Sequence, residues 1–226
     1  MKKMKISFES QLHRQRLALG IICGMLPIAC FVFNLPAVMW CEWDSSILGS
    51  ISATFWSPSA PFMIAGLGLA SFFFFTYKGH DRTDNILTTI SATSALGVVA
   101  FPTWLGIMNF AKWDCMGVLY VPAVICNYLH MVSAAVLFLS FAAMIFFQFT
   151  KGKDKRRNLL YRACAVLICI FTILIALTSH ITPFLPDWLA LIWVWLNEFL
   201  MLEAFAVAWI VKSKALAIRE VKNESN

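Results

Sequence analysis

Charge is scarce in this chain: Asp, Glu, Lys and Arg together make up 13% of its 226 residues, about half the share found in soluble domains. That scarcity excludes an ordinary water-soluble fold, and no stretch is polar enough to form a second, soluble domain. The weak apolar/polar alternation of a transmembrane β-barrel is missing. So is any internal repeat, the pointer to many secondary transporters. The sequence has no nucleophile-elbow or His-Glu-x-x-His motif, no His-x-x-x-His pair, and seven cysteines without metal-type spacing. Basic residues are almost wholly missing from one set of connections, and that gap orients the chain.

What is present is apolar. Hydrophobic side chains make up 60% of the sequence, gathered into six stretches at 17–39, 60–77, 86–109, 128–149, 159–180 and 188–211. Each approaches the roughly 20 residues a helix needs to cross a bilayer. Backbone amides in hydrocarbon need partners within the segment, so these stretches are expected to be helices. The expected fold is all-α: one polytopic six-helix transmembrane bundle spanning 1–226. Residues 45–60 are uncharged and contain Pro58, so they are expected at the interface or as a re-entrant segment.

Of the 18 Lys and Arg residues, all but Lys112 lie before the first stretch, after the sixth, in the second or fourth connection, or just inside the fifth stretch. Glu42, Asp44, Asp114 and Asp187 lie on the other side. By the positive-inside rule both termini are then cytoplasmic, and the protein is expected in the cell (cytoplasmic) membrane. The net charge of +6 follows from this asymmetry and is no nucleic-acid signal. The tryptophans, including Trp40, Trp43, Trp104, Trp113 and Trp188, gather near span ends as an interfacial belt would. The first stretch is expected to be retained rather than cleaved, because its apolar run continues to Met39.

Polar groups inside the spans are the functional candidates. Glu198 lies ten residues into the sixth stretch, about 15 Å deep at 1.5 Å per residue, and so near the midplane. A carboxylate there costs about 2.5–3.5 kcal/mol on insertion scales, so it should face the bundle. Glu203 falls on a different face of the same helix. Ser52, Thr103, His130, Thr178, His180 and Asp187 all fall near the outer boundary. A pocket using Ser52, His130, His180, Asp187 and Glu198 is therefore expected on the side opposite the basic loops. The inward loop 77–85 offers Lys78, Asp81 and Asp84, with Asp84 expected to cap the third helix and Asp81 to pair with Arg82. Cys41 and Cys115 both fall in outward connections, where an oxidising compartment permits a disulfide; the other cysteines lie within spans or at their mouths, as small apolar residues.

Five segments in order carry a resemblance: Gly49-Ser50-Ile51-Ser52-Ala53; Tyr77-Lys78-Gly79-His80-Asp81 running on to Phe101-Pro102-Thr103; His130; Arg157-Asn158-Leu159-Leu160-Tyr161-Arg162; and Glu198 followed by Ala206-Val207-Ala208-Trp209. In these the chain resembles a family of uncharacterised bacterial six-span integral membrane proteins. The resemblance implies that Ser52, Asp81, His130 and Glu198 are the family's polar positions, and it implies no activity. It covers most of the chain. The layout is also similar to that of autophagy-modulator-type six-span proteins and of membrane ceramidase-like hydrolases.

The reading that follows is a non-enzymatic membrane protein that binds a lipid or small ligand in an outward-facing polar pocket, as a sensor or accessory factor. No cofactor, metal or nucleic acid is called for; the expected partners are membrane lipids and a small ligand. The alternatives are an intramembrane lipid hydrolase using His130, His180 and Glu198 as acid/base or zinc-binding groups, and a small transporter in which Glu198 carries a proton.

Overall fold

The computed structural model describes residues 2–77, 79, 81–103 and 114–224. It is about 84% helical. The α-helices are α1 (Lys2–Trp40), α2 (Ala60–Thr76), α3 (Arg82–Ala100), α4 (Ala123–Ala143), α5 (Lys155–Ala176), the short α6 (Thr178–Ile181) and α7 (Asp187–Glu224). A π-helical turn, Met144–Gln148, extends α4. A two-stranded ribbon pairs β1 (Cys115–Met116) antiparallel with β2 (Val121–Pro122).

Among the described residues, four helical stretches are long and apolar enough to cross a membrane: His13–Trp40, Ala123–Lys151, Lys155–Ala176 and Asp187–Lys214. The expected six stretches thus divide into four long ones and two lesser ones. α2 has 17 residues, about 25 Å at 1.5 Å per residue, against a hydrocarbon core of about 30 Å. α3 has length but is rich in Thr and Ser, and it ends at Ala100 rather than running on to 109. Pro102 explains that stop. The residue before a proline is driven out of the helical region, and Phe101 sits at φ −118°, ψ 83°. Residues 104–109 of the expected span, with Trp104, Lys112 and Trp113, lie outside the described residues.

The core is set by helical periodicity. On α1 the buried side chains include Arg16, Leu19, Cys23, Leu26 and Cys30, spaced alternately three and four residues apart, which keeps them on one face. That face packs against α7 at close range. A Cβ added to Gly20 would stand 2.7 Å from Ile210 Cγ1 and 3.2 Å from the Ala206 carbonyl oxygen, so only glycine lets the two backbones approach this far. Hydroxyls join other helices: Ser71 Oγ donates to the Ala92 carbonyl at 2.9 Å, and the Ser91 and Ser140 hydroxyls are 2.7 Å apart. At the basic end an aromatic cluster fills the interior, with Trp209 between Phe74, Tyr77, Phe149 and Phe205.

The loop before α3 differs from expectation in a useful way. Asp81, not Asp84, caps α3: its Oδ1 accepts from the Asp84 amide at 2.8 Å. Asp81 stands one residue before the helix with extended backbone, the geometry an N-cap needs, while Asp84 lies inside the first turn, buried at 3% exposure. Asp81 also pairs with Lys151 rather than with Arg82, tying this loop to the one before α5. Lys78 lies outside the described residues. The hydrogen bond from Lys151, helped by the Asp84 amide, holds the Asp81 carboxyl below its usual range. A depressed carboxyl contributes stability that is complete above the ordinary Asp range and is lost as pH falls through the lowered value. The pair is exposed, so the effect is small. Melting temperature measured against pH should show a shallower acid-side decline in Asp81→Asn than in wild type; superimposable profiles would remove Asp81 from the acid response.

Candidate functional site

At the end away from the basic loops, residues 45–59 fold inward. Asp44 Oδ1 accepts from the Ser46 amide at 2.8 Å and starts a 3₁₀ turn over Ser45–Leu48; a second turn covers Ser52–Trp56. Ile47, Leu48, Ile51 and Ala53 are buried, and so are Ser52 and Thr54, in keeping with a segment that re-enters the bundle. Its irregular backbone is tolerated because protein, not lipid, surrounds it. Two bonds fasten it to α7. The Trp195 amide donates to the Gly49 carbonyl at 2.8 Å, and the Ile51 amide donates to Glu198 Oε2 at 2.5 Å.

Gly49 makes this approach possible. A Cβ there would stand 2.9 Å from the Ser46 carbonyl oxygen and 3.1 Å from that of Leu191, both backbone atoms that cannot swing aside. Gly49→Ala is therefore expected to push the segment off α7 and cost about 1–3 kcal/mol. A drop in the detergent melting temperature would register this; an unchanged one would mean the segment does not bear on α7 as described.

Glu198, at 9% exposure, holds the centre of the site. Besides the Ile51 amide, the Ser52 amide and hydroxyl both lie within its reach. Successive backbone N–H groups of this kind form a small anion-holding concavity. His130 comes from α4 and is also buried. Its Nδ1 is 2.7 Å from the Phe101 carbonyl oxygen and its Nε2 is 2.9 Å from Ser52 Oγ. A carbonyl only accepts, so Nδ1 carries the proton; in the neutral ring Nε2 then accepts from the Ser52 hydroxyl. The interruption of α3 at Pro102 thus serves the site, because it turns the Phe101 carbonyl towards α4. Nearby, Trp56 Nε1 donates to the Thr103 carbonyl at 2.8 Å, and Thr103 Oγ1 donates to Asn127 Oδ1 at 2.9 Å.

These groups open on a cavity of about 460 Å³, within the size range of ligand pockets. Ser46, Gly49, Ser50, Ser52, Thr103, Asn127, His130 and Glu198 line its polar part. Met131, Ala134, Ala135, Phe138, Ile175, Ala176, Val194 and Met201 make most of the rest, with Thr172 and Thr178 among them. The arrangement suits a molecule with one polar group and an apolar body.

Three expected site residues, Ser52, His130 and Glu198, are brought together. Two are not. His180 lies exposed on α6 and Asp187 exposed at the start of α7, and neither lines the cavity. They share the depth of the site but turn away from it, because α5 ends at Ala176 and the chain unwinds before α7. Glu203 stands beside α1 at Gly24 instead, with both carboxylate oxygens 3.7 Å from a Cβ built there. The Cys41–Cys115 bond that the sequence permits is not formed; both are free, exposed thiols. Cys41 ends α1, while Cys115 belongs to the ribbon that the Ala100 carbonyl and the Asp114 carbonyl anchor to α3 and α4. Among the described residues, no group of three His, Cys, Asp or Glu side chains is placed to share a metal ion. Thr172 was not singled out in the sequence, where it is a lone hydroxyl in an apolar run whose proton goes to the Ile168 carbonyl.

Fold and site together define a helical membrane protein with a deep, mainly apolar cavity headed by a Ser–His–Glu cluster. No family model, curated protein or solved structure matches the chain.

Proposed function

We propose that this protein crosses the cytoplasmic membrane as a six-helix bundle with both termini inside, and that its cavity faces outward and binds a lipid or other small amphipathic molecule. It would act as a sensor or accessory protein. One-sided placement of Lys and Arg supports the orientation. The observation that carries the binding role is the cavity itself, in which Ser52, His130 and Glu198 meet at one end of an apolar wall. Ser52 and His130 would orient the ligand's polar group, and the apolar wall would hold its body.

The test is to fill the space. Ala134 lines the cavity on α4, and Ala134→Trp should occupy it while leaving the polar cluster in place. Native mass spectrometry of wild-type protein, purified from membranes, should show a retained small molecule that Ala134→Trp lacks. Wild-type protein without any such molecule, or a variant that retains it, would contradict the binding role.

The Ser52–His130 hydrogen bond favours a second reading, acyl-ester hydrolysis. Ser52 Oγ would bond to the acyl carbon as its proton passes to His130 Nε2 and then to the departing alcohol; water would then break the acyl–serine bond and release the acid. Glu198 now occupies the Ile51 amide that would stabilise the developing oxyanion, so binding stands first. A serine-directed fluorophosphonate that labels wild type but not Ser52→Ala would put hydrolysis ahead, and no labelling would remove it.

A further inference from the structure

The basic end of the bundle holds a second polar cluster that the cavity does not use. Arg16 is 1% exposed. Its Nε donates to the Tyr77 hydroxyl at 2.9 Å and its Nη2 reaches the same oxygen. Its Nη1 is buried without a hydrogen-bond partner. The guanidinium carbon lies 5.4 Å from the Tyr77 ring centre and 5.8 Å from that of Phe149. Lys212 approaches from α7, half-buried: Nζ donates to the Phe149 carbonyl at 2.9 Å and stands 5.1 Å from the Phe149 ring centre and 5.6 Å from that of Tyr161. The Tyr161 hydroxyl, from α5, is buried and also without a partner. The charge of Arg16 is felt at both Tyr161 and Lys212, so the three groups share one region.

Among the described residues, charge does not balance there. Asp81 is taken by Lys151, and Asp154 by Arg157. Asp84, which reaches the cluster through Tyr77, faces both Arg16 and Lys212. Among the described residues this leaves Arg16 and Lys212 with one carboxylate between them in a region walled by Phe74, Phe149 and Trp209, where an unneutralised cation is unfavourable. Aromatic faces relieve only part of that.

We propose that Arg16 Nη1, Lys212 Nζ and the Tyr161 hydroxyl together hold a phosphate group. A guanidinium edge alone would suit a planar carboxylate equally well. An ammonium and a phenol on two other helices add donors that are not tied to the guanidinium plane, which favours a tetrahedral oxyanion. The phosphate belongs either to a lipid headgroup of the adjoining leaflet or to the free ion, and Lys212 links the buried guanidinium to the surface. The site is separate from the cavity and does not depend on what the cavity binds.

The experiment uses delipidated full-length protein in maltoside detergent. It is titrated with inorganic phosphate, with phosphatidylglycerol in mixed micelles, and with a neutral glucosyl diacylglycerol, while binding and melting temperature are followed. Binding of phosphate identifies a free-anion site; binding of phosphatidylglycerol alone identifies a headgroup site; either supports the proposal. Tyr161→Phe keeps the ring against Phe149 and Lys212 and removes one donor to a charged group, so it should weaken binding about tenfold without lowering the ligand-free melting temperature. Arg16→Lys, which loses the fork, should abolish it. Because Tyr161→Phe preserves packing, the test stands even if Arg16→Lys does not fold. The proposal is overturned if neither phosphate-bearing ligand binds, if the glucosyl lipid binds as tightly, or if Tyr161→Phe binds like wild type.

Discussion

Trp209→Ala is expected to lower stability by about 3–5 kcal/mol, the range for deleting a large aromatic side chain from a packed core. Trp209 is fully buried, with ring centres of Tyr77, Phe149, Phe205 and Phe74 at 5.4, 5.2, 5.4 and 5.8 Å. Lipid cannot fill such a hole from inside the bundle, so the lost contacts are not replaced. The indole N–H is buried without a partner, so Trp209→Phe should lose much less: it gives up some volume but also removes an unsatisfied donor. Thermal unfolding in detergent separates the two variants. If Trp209→Ala melted with wild type, the aromatic cluster would not be the centre of the core.

Glu198→Ala should cost about 1.5–3 kcal/mol, because it takes a charged acceptor from the buried Ile51 amide and leaves that donor bare. The loss should spread along the re-entrant segment, which α7 holds through Gly49 and through the Glu198 carboxylate at Ile51 and Ser52. Bound ligand should be lost with it. Glu198→Gln keeps an acceptor oxygen for Ile51 and should retain more of the stability than of the ligand binding. Hydrogen exchange at the amides of 49–54 offers the measurement: faster exchange in Glu198→Ala than in Glu198→Gln is expected. Equal protection in both variants would show that the carboxylate does not anchor the segment.

Depth was legible in the sequence; direction around a helix axis was not. Counting residues from a span end put Ser52, His130, His180 and Asp187 at one level and Glu198 below them. Which of them meet depends on where α5 stops and on how 45–59 turns inward, and both are decided by packing between segments far apart in the chain. Pro102 is plain in the sequence. Its consequence, a Phe101 carbonyl that fixes the His130 tautomer, needed the neighbouring helix. Asp81 and Asp84 were both plausible caps by type, and only the backbone distinguishes them. Arg16 shows the cost of a strong prior. As one of many basic residues before the first span it read as topology, yet its spacing to Leu19, Cys23, Leu26 and Cys30 places it on the buried stripe, and that signal was present in the sequence.

Ser52, His130 and Glu198 line one cavity and His180 does not, so on the proposed reading a bound molecule meets the first three alone. The most direct test is the side-chain ¹⁵N spectrum of histidine-labelled protein, assigned with His130→Gln and His180→Gln, as the molecule released from the wild-type protein is added back. His130 is expected to begin as the Nδ1-protonated tautomer and its Nε2 signal to shift on binding, while the His180 signals stay in place. Binding that moves His180 and leaves His130 unchanged would contradict that reading.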